Sequence, residues 1–533
     1  MKAPLALIWL LLVASVYPQS LTVNGDSVSI EGGRVVVDVT VTRPRLHSAI
    51  NSIASLIPRT LPPGFPELPV MPAVVRGPGD LDLDQNLFSA FYAKYGSALS
   101  GTAWVDPVNG SDKTGVVGNE SKPFATISTP LRDTAAQVIV LADGAYAPFD
   151  FRSTDRYGSF PKVVLCEHVN HCIIRNTGTD LASALWSASA YASVYVAKIA
   201  SDGVTSTGIN RVLLQDGTLD AAGFPQRLPI SCYDANNQQV YSGCVMANSL
   251  AALSSSKYGW FYDTVGHNLY VALGGEVLPL QHVRARVRAT YYDLAHNSRI
   301  LASGTTLMLF GLYLDGIDVL ALEQKAAGGY IPAELWSVDN TYFASGGGYG
   351  AWVLGSRYFE RSVSCHATLY DCINGDSGAA GYLSTMLSAH SVHDDAGDVE
   401  TYGTNVSNFP NKNGSSSHSG YHVSFGSIYQ GNRGPEFADT SEGPVNLTWA
   451  VASIARNAGP DNFNPGGFAF YGDSGNGSAN RQAWLDTCAS YKEDGMALFV
   501  NGGASVKLFN STFDSVTVKQ GSILPAAYTP SAP

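Results

Sequence analysis

A short pattern recurs through the second half of the chain: a polar or small residue, one or two apolar residues, then a glycine a few positions later. It appears at Asp339 (DNTYFASGGG), Asp371 (DCINGDSG), Ala389 (AHSVHDDAGD), Gly426 (GSIYQGNRG), Ala452 (ASIARNAG) and Thr487 (TCASYKEDG), at successive intervals of 32, 18, 37, 26 and 35 residues. Irregular intervals above a minimum near one coil length suit a solenoid whose loops vary while its strands stay in register. A propeller requires a more constant period, and a sandwich is the main alternative. The runs between the turns are short and rich in Val, Ile, Leu, Phe and Tyr, as stacked strands require. With only 14% charged residues, 54 Gly and 27 Tyr, the composition also favours β-structure over a helical bundle.

The chain divides by composition. Residues 1–20 (MKAPLALIWLLLVASVYPQS) carry Lys2 and an apolar run from Ala3 to Val16, shorter than the roughly 20 residues of a membrane span, and read as a secretory signal. The alternative is a buried N-terminal segment of a virion or another assembly. Residues 21–57 begin with alternating apolar and polar positions (Leu21 to Arg43) and read as a small β segment. Residues 58–100 hold Pro58, Pro62, Pro63, Pro66, Pro69, Pro72 and Pro78, which exclude helix and central strand there and predict an extended spacer. Residues 101–520 form the body and 521–533 a Pro/Ala/Ser tail. Within the body, residues 177–283 turn to hairpins, notably KYGWFYDTVGHNLYVAL (Lys257 to Leu273), and predict a β-rich insertion. No other stretch is long and apolar enough to cross a bilayer, and a net charge of −12 argues against nucleic acid or an anionic membrane as partner. Of seven cysteines, Cys166/Cys172 and Cys232/Cys244 are close enough to bridge, whereas Cys372 and Cys488 read as small buried residues. No metal site is assigned from them.

Between Trp104 and Tyr146 an aromatic strand, an Asn-Gly turn, a short helix and a Val/Ile/Leu strand follow one another. This order resembles the opening of right-handed parallel β-helix, pectate-lyase-like proteins, in which a short helix covers the open end of the solenoid. The fold expected is therefore all-β: a single-stranded right-handed parallel β-helix with a capping helix, the insertion and the N-terminal β segment.

Two polar clusters dominate the body, HSVHDDAGDVE (His390 to Glu400) and SHSGYHVSFGSIYQGNRGPEFADT (Ser417 to Thr440). Counted from the repeat, Asp376, Asp394, Asp395, Arg433 and Asp494 would lie in one stripe, where neighbouring carboxylates raise one another's pKa unless a ligand, cation or acid/base role uses them. A carboxylate pair can hydrolyse a glycosidic bond without a cofactor; alternatively, carboxylates can hold Ca²⁺ against an acidic sugar while a base takes a proton, as in a lyase. The second cluster, with Trp449 beyond it, resembles phage tailspike and capsule-depolymerase β-helices at His418, Gly420, Tyr429, Gly434, Pro435, Ala438, Asp439 and Trp449. Ser419 stands where that pattern has Asp. The resemblance implies a polysaccharide-degrading enzyme, secreted or carried on a phage tail, and a homotrimer. The candidate catalytic residues are Asp395, Asp398, His418, Arg433 and Asp439. Asp376, His393, Asp394, Tyr421, His422, Trp449 and Arg456 are candidates for substrate binding. A non-catalytic carbohydrate-binding adhesin is the alternative.

Overall fold

The computed structural model describes residues 61–83, 87–153, 160–175, 186–198, 249–255, 258–263, 265–273 and 299–525. Excepted within the last range are 344–348, 367, 369, 380, 395, 397–412, 433, 441–442, 444, 457–465, 471–479, 492–495 and 520. The backbone alone is described for the strands Leu21–Val23, Asp26–Glu31, Arg34–Asp38, Ile209–Leu214 and Val283–Val287.

The body is a parallel β-helix. Sheet I has 12 strands, from Thr102–Val105 to Gly521–Pro525. Sheets II and III have 10 each, from Gly144–Tyr146 to Thr512–Phe513 and from Asp150–Arg152 to Val516–Val518. Each turn of the chain visits I, II and III in order. Neighbouring coils pair in parallel, as in Met308↔Trp336, Leu314↔Tyr342 and Leu320↔Trp352. At the N-terminal end the helix Ser128–Leu131 buries Leu131 against Val105 and Ile139, providing the expected cap.

The corner from sheet I to sheet II sets the register. From Gly311 onward one residue there adopts a left-handed conformation on each coil: Gly311, Asp339, Ser362, His390, Gly426, Ala452, Thr487 and Asn510, with φ between 46° and 68°. Only glycine does so without cost, so the other six need compensation. All of them but Asn510 receive it from backbone hydrogen bonds to the next coil, including Asp339 N to Arg361 O, His390 N to Phe425 O and Ala452 N to Asp486 O. Side chains just past the turn add to it: Leu312 N donates to Asn340 Oδ1, Val363 N to Ser391 Oγ and Ser391 N to Ser427 Oγ. Four of the six repeat positions expected from sequence fall on this turn. Ala389 is one residue short of it, and Asp371 belongs instead to the corner between sheets II and III.

The expected insertion is present between Arg175 and Arg299, as a four-stranded antiparallel sheet and a two-stranded one. Its hairpin pairs Tyr258–Asp263 with Asn268–Leu273. The proline-rich stretch, read as a spacer, is packed from residue 61 onward along the outer face of sheet I. There Leu68, Val70, Leu81, Leu87 and Phe91 share one apolar cluster with Met308, Trp336, Phe359, Leu387, Val423, Trp449 and Trp484. The nine-residue helix Leu87–Tyr95 is part of this cover. Its Lys94 Nζ lies 2.9 Å from Glu334 Oε2, and Tyr95 OH donates to Glu334 Oε1 at 2.6 Å. Prolines lock single φ angles but leave apolar side chains free to seal a sheet, which composition does not distinguish from a linker.

Disulfides join Cys166 to Cys172 and Cys365 to Cys372. The second corrects the reading of Cys372 as an unpaired buried residue. Cys488 is free and buried, and Cys232 and Cys244 lie outside the described residues. Among the described residues no helix is long and apolar enough to cross a membrane.

Candidate functional site

Each strand of sheet II is short, and successive side chains alternate between the two faces. The third residue after the left-handed turn points into the solenoid and the fourth points out. The fourth residues are Asp315, Phe343, His366, Asp394, Gln430, Arg456 and Tyr491, in register from coil to coil. Stacked about 4.8 Å apart, they form a continuous outer row beside the loops of the II–III corner.

The members of this row touch in sequence. The Phe343 and His366 rings stack at 5.8 Å with 6° between planes. His366 Nδ1 lies 3.5 Å from Asp394 Oδ2. Gln430 Nε2 makes a long contact of 3.4 Å to the same oxygen, Arg456 Nε donates to Gln430 Oε1 at 2.8 Å, and Arg456 Nη1 donates to Tyr491 OH at 3.3 Å. The His366 side chain is 3% exposed and that of Asp394 14%, so of the two the carboxylate is the one that a ligand on this face would reach. Gly431 (φ 68°) opens the approach: a Cβ there would stand 3.2 Å from Asp394 Oδ1, the oxygen that His366 and Gln430 do not occupy.

Around the corner on sheet III, Trp352, Tyr349 and Tyr370 form a half-buried aromatic group, with Tyr349 at 5.8 Å from Trp352 and 5.6 Å from Tyr370. Trp352 Nε1 donates to Asp376 Oδ2 at 3.0 Å. Along the axis the order is therefore aromatic group, carboxylate with imidazole, then guanidinium with phenol.

Of the candidate residues, the structure brings Asp394 and Arg456 together in this row. Asp376 and His418 fall in a second row, at the far edge of sheet III, since Gly375 pairs with Ser417 just before them. His418 Nδ1 meets Thr440 Oγ1 at 2.8 Å there. The strand Ser415–Ser417, about 10 Å wide at roughly 3.3 Å per residue, separates that row from the row of Asp394. Asp395, Asp398 and Arg433 lie outside the described residues. The remaining candidates are buried or covered, which corrects the expectation for them. His393, the inward neighbour of Asp394, is fully buried, with Nε2 2.7 Å from Glu360 Oε1 in a core network that continues to Tyr358 OH. Asp439 is buried at the III–I corner, accepting hydrogen bonds from Asn446 and Thr448. Trp449 is 0% exposed, and Tyr421 packs on Phe65 at 5.9 Å; both lie under the N-terminal cover of sheet I.

His422 is also inside, 2.7 Å from Ser415 Oγ and stacked on Phe437 at 4.1 Å. Burial, with a smaller contribution from His393, lowers its pKa to about 3. Because an unfolded histidine titrates near 6.5, its neutral form contributes stability fully above that pH. The contribution is lost as pH falls from about 6.5 toward 3, at up to roughly 1.4 kcal/mol per unit. The expected result is that His422→Gln shows a shallower loss of unfolding free energy between pH 6.5 and 4 than the parent. Parallel denaturant titrations at several pH values measure it, and identical slopes would refute it.

Sequence reasoning missed His366, Gln430 and Tyr491. Their signal was the fixed offset of four from the turn: Gly426 and Thr487 give it for Gln430 and Tyr491, whereas the anchor of the His366 coil, Ser362, does not stand out in the repeat. Among the described residues one group of potential metal ligands converges, Asp143 with Cys166 and Cys172, but those cysteines are joined to each other.

No protein-family model matches the chain, and no curated protein matches it. Among solved structures, the complex structure of XylC with xylose is similar over 79% of this chain and 68% of that one, at 11% sequence identity and a TM-score of 0.41.

Proposed function

We propose that the chain is a polysaccharide-degrading enzyme that binds an extended glycan along the outer row of sheet II. The observation that carries this reading is the row itself: aligned polar side chains at a spacing of about 4.8 Å per coil, with the partly exposed carboxylate of Asp394 in their midst. Such a row offers successive sugar rings successive hydrogen-bonding partners. Tyr349 and Trp352 at one end are suited to stacking on the apolar face of a pyranose.

In this reading Asp394 transfers a proton at the glycosidic oxygen through Oδ1, while His366 and Gln430 hold Oδ2 and fix the carboxyl plane. Asp395 and Asp398, which follow in the chain, are proposed to supply the second carboxylate. As a hydrolase the site needs no cofactor; as a lyase, those carboxylates would hold Ca²⁺ against the sugar. Two disulfides support an oxidising, extracellular location, whether secreted or on a virion.

The test is incubation of the purified chain with capsular, exopolysaccharide and plant polysaccharides, following reducing ends and ultraviolet absorbance of unsaturated products. New reducing ends alone mean hydrolysis, and both signals mean a lyase. Binding without either would replace the enzyme with an adhesin, and neither binding nor cleavage across the panel would end the glycan reading.

A further inference from the structure

The row on sheet II contains one cationic side chain between Phe343 and Tyr491, and its partners are neutral. Arg456 donates from Nε to Gln430 Oε1 and from Nη1 to Tyr491 OH. Among the described residues no carboxylate lies within ion-pair distance of it. The side chain is half-buried. A partly buried guanidinium is held in place here by two neutral hydrogen bonds, with no described counter-ion to account for its orientation. Among the described residues two of its five N–H donors find partners, and the second on Nη1 and the pair on Nη2 find none. Planar and fixed in direction, that edge matches an oxyanion bound through two parallel hydrogen bonds. The chain as a whole is acidic, at −12, so a cation in this row with no carboxylate partner among the described residues is a specific feature and no part of a general positive field.

Resting on the glycan reading above, we infer that the polymer is acidic and that Arg456 holds its anionic substituent, a carboxylate or sulfate, two coils from Asp394. One coil step separates Asp394 from Gln430 and a second separates Gln430 from Arg456, together about 10 Å along the axis. The placement fits the charges. Asp394 repels an anion, so the charged sugar is drawn toward the Arg456 end and a neutral linkage is left at the carboxylate. The polymer thereby gains one direction in the groove, and cleavage falls at a fixed distance from the charged unit. Gln430 bridges the two functions, with its carbonyl toward Arg456 and its amide toward Asp394.

The experiment uses the full chain and measures equilibrium binding to neutral, carboxylate-bearing and sulfated polysaccharides. The tightest ligand is then compared with its carboxyl-reduced or desulfated form, which also distinguishes the two anions. Removing the anion, or Arg456→Gln, is expected to weaken binding roughly 10- to 100-fold. Arg456→Lys should recover part of the loss, and Arg456→Gln should no longer distinguish native from modified polymer. Tyr491→Phe, which keeps the ring and removes the hydroxyl, should lose a few-fold, and thermal unfolding reports that each variant is folded. Equal binding of native and modified polymer by the parent chain, or undiminished discrimination by folded Arg456→Gln, overturns the inference while leaving the glycan reading in place. Absence of binding to every polymer overturns both.

Discussion

Replacing Asp394 with Asn is expected to lower turnover on the cognate polymer about 100- to 10,000-fold, the range a positioned general acid or base contributes. The amide is isosteric and can still meet Gln430 and His366, so affinity should change little and the loss should fall on kcat. Asp394 is at the surface of sheet II and outside the apolar core, so the unfolding temperature should stay near that of the parent. Steady-state kinetics beside thermal unfolding checks all three expectations. A variant with parental kcat would move the chemistry away from this row, and equal losses in kcat and stability would make Asp394 a structural residue.

The second large effect is one of stability. Trp449→Ala is expected to destabilise the chain by about 3–5 kcal/mol, the usual cost of deleting a buried aromatic side chain. Trp449 is fully buried, edge-on to Phe425 at 5.1 Å and to Phe65 at 6.4 Å, and it lies in register between Val423 and Trp484. Because Phe65 belongs to the N-terminal cover, the cavity loosens two layers at once. Chemical denaturation measures the loss. Glycan affinity of the remaining folded protein should be unchanged, and a selective loss of affinity with full stability would restore Trp449 as a sugar platform.

The contrast between these two residues shows what the sequence made legible. Short apolar runs, turn residues and the Trp104 to Tyr146 order were enough for a parallel solenoid with a helical cap and a hairpin insertion. The direction of a side chain was harder, because in a strand a shift of one residue exchanges inside for outside. Taking Ala389 in place of His390 as the turn, and Asp371 in place of Ser362, merged Asp376 with Asp394 and left His393 on the wrong face. Counting from the residues with positive φ separates them: Asp394 out on sheet II, His393 in, Asp376 on sheet III. Polar residues also mislead in this molecule because its interior is itself polar in the middle coils, where Glu360, His393, His422, Ser415 and Asp439 are all buried. Density of His, Asp and Ser marked the right region of the chain, while burial alone divided the groove from the core.

The left-handed corner between sheets I and II has a consequence for how such a molecule can change. It is two residues long on coil after coil and is bonded to its successor, whereas the opposite corner, between sheets II and III, ranges from two residues, Gly316 and Ile317, through the stretch between Asp394 and Ser415, to the whole insertion between Arg175 and Arg299. Alignment is thus secured on one side and chain length is free on the other, next to the row proposed to meet the ligand. Segments grafted into the II–III corner would leave strand pairing untouched, so new specificities can be acquired by exchanging loops while the scaffold stays the same.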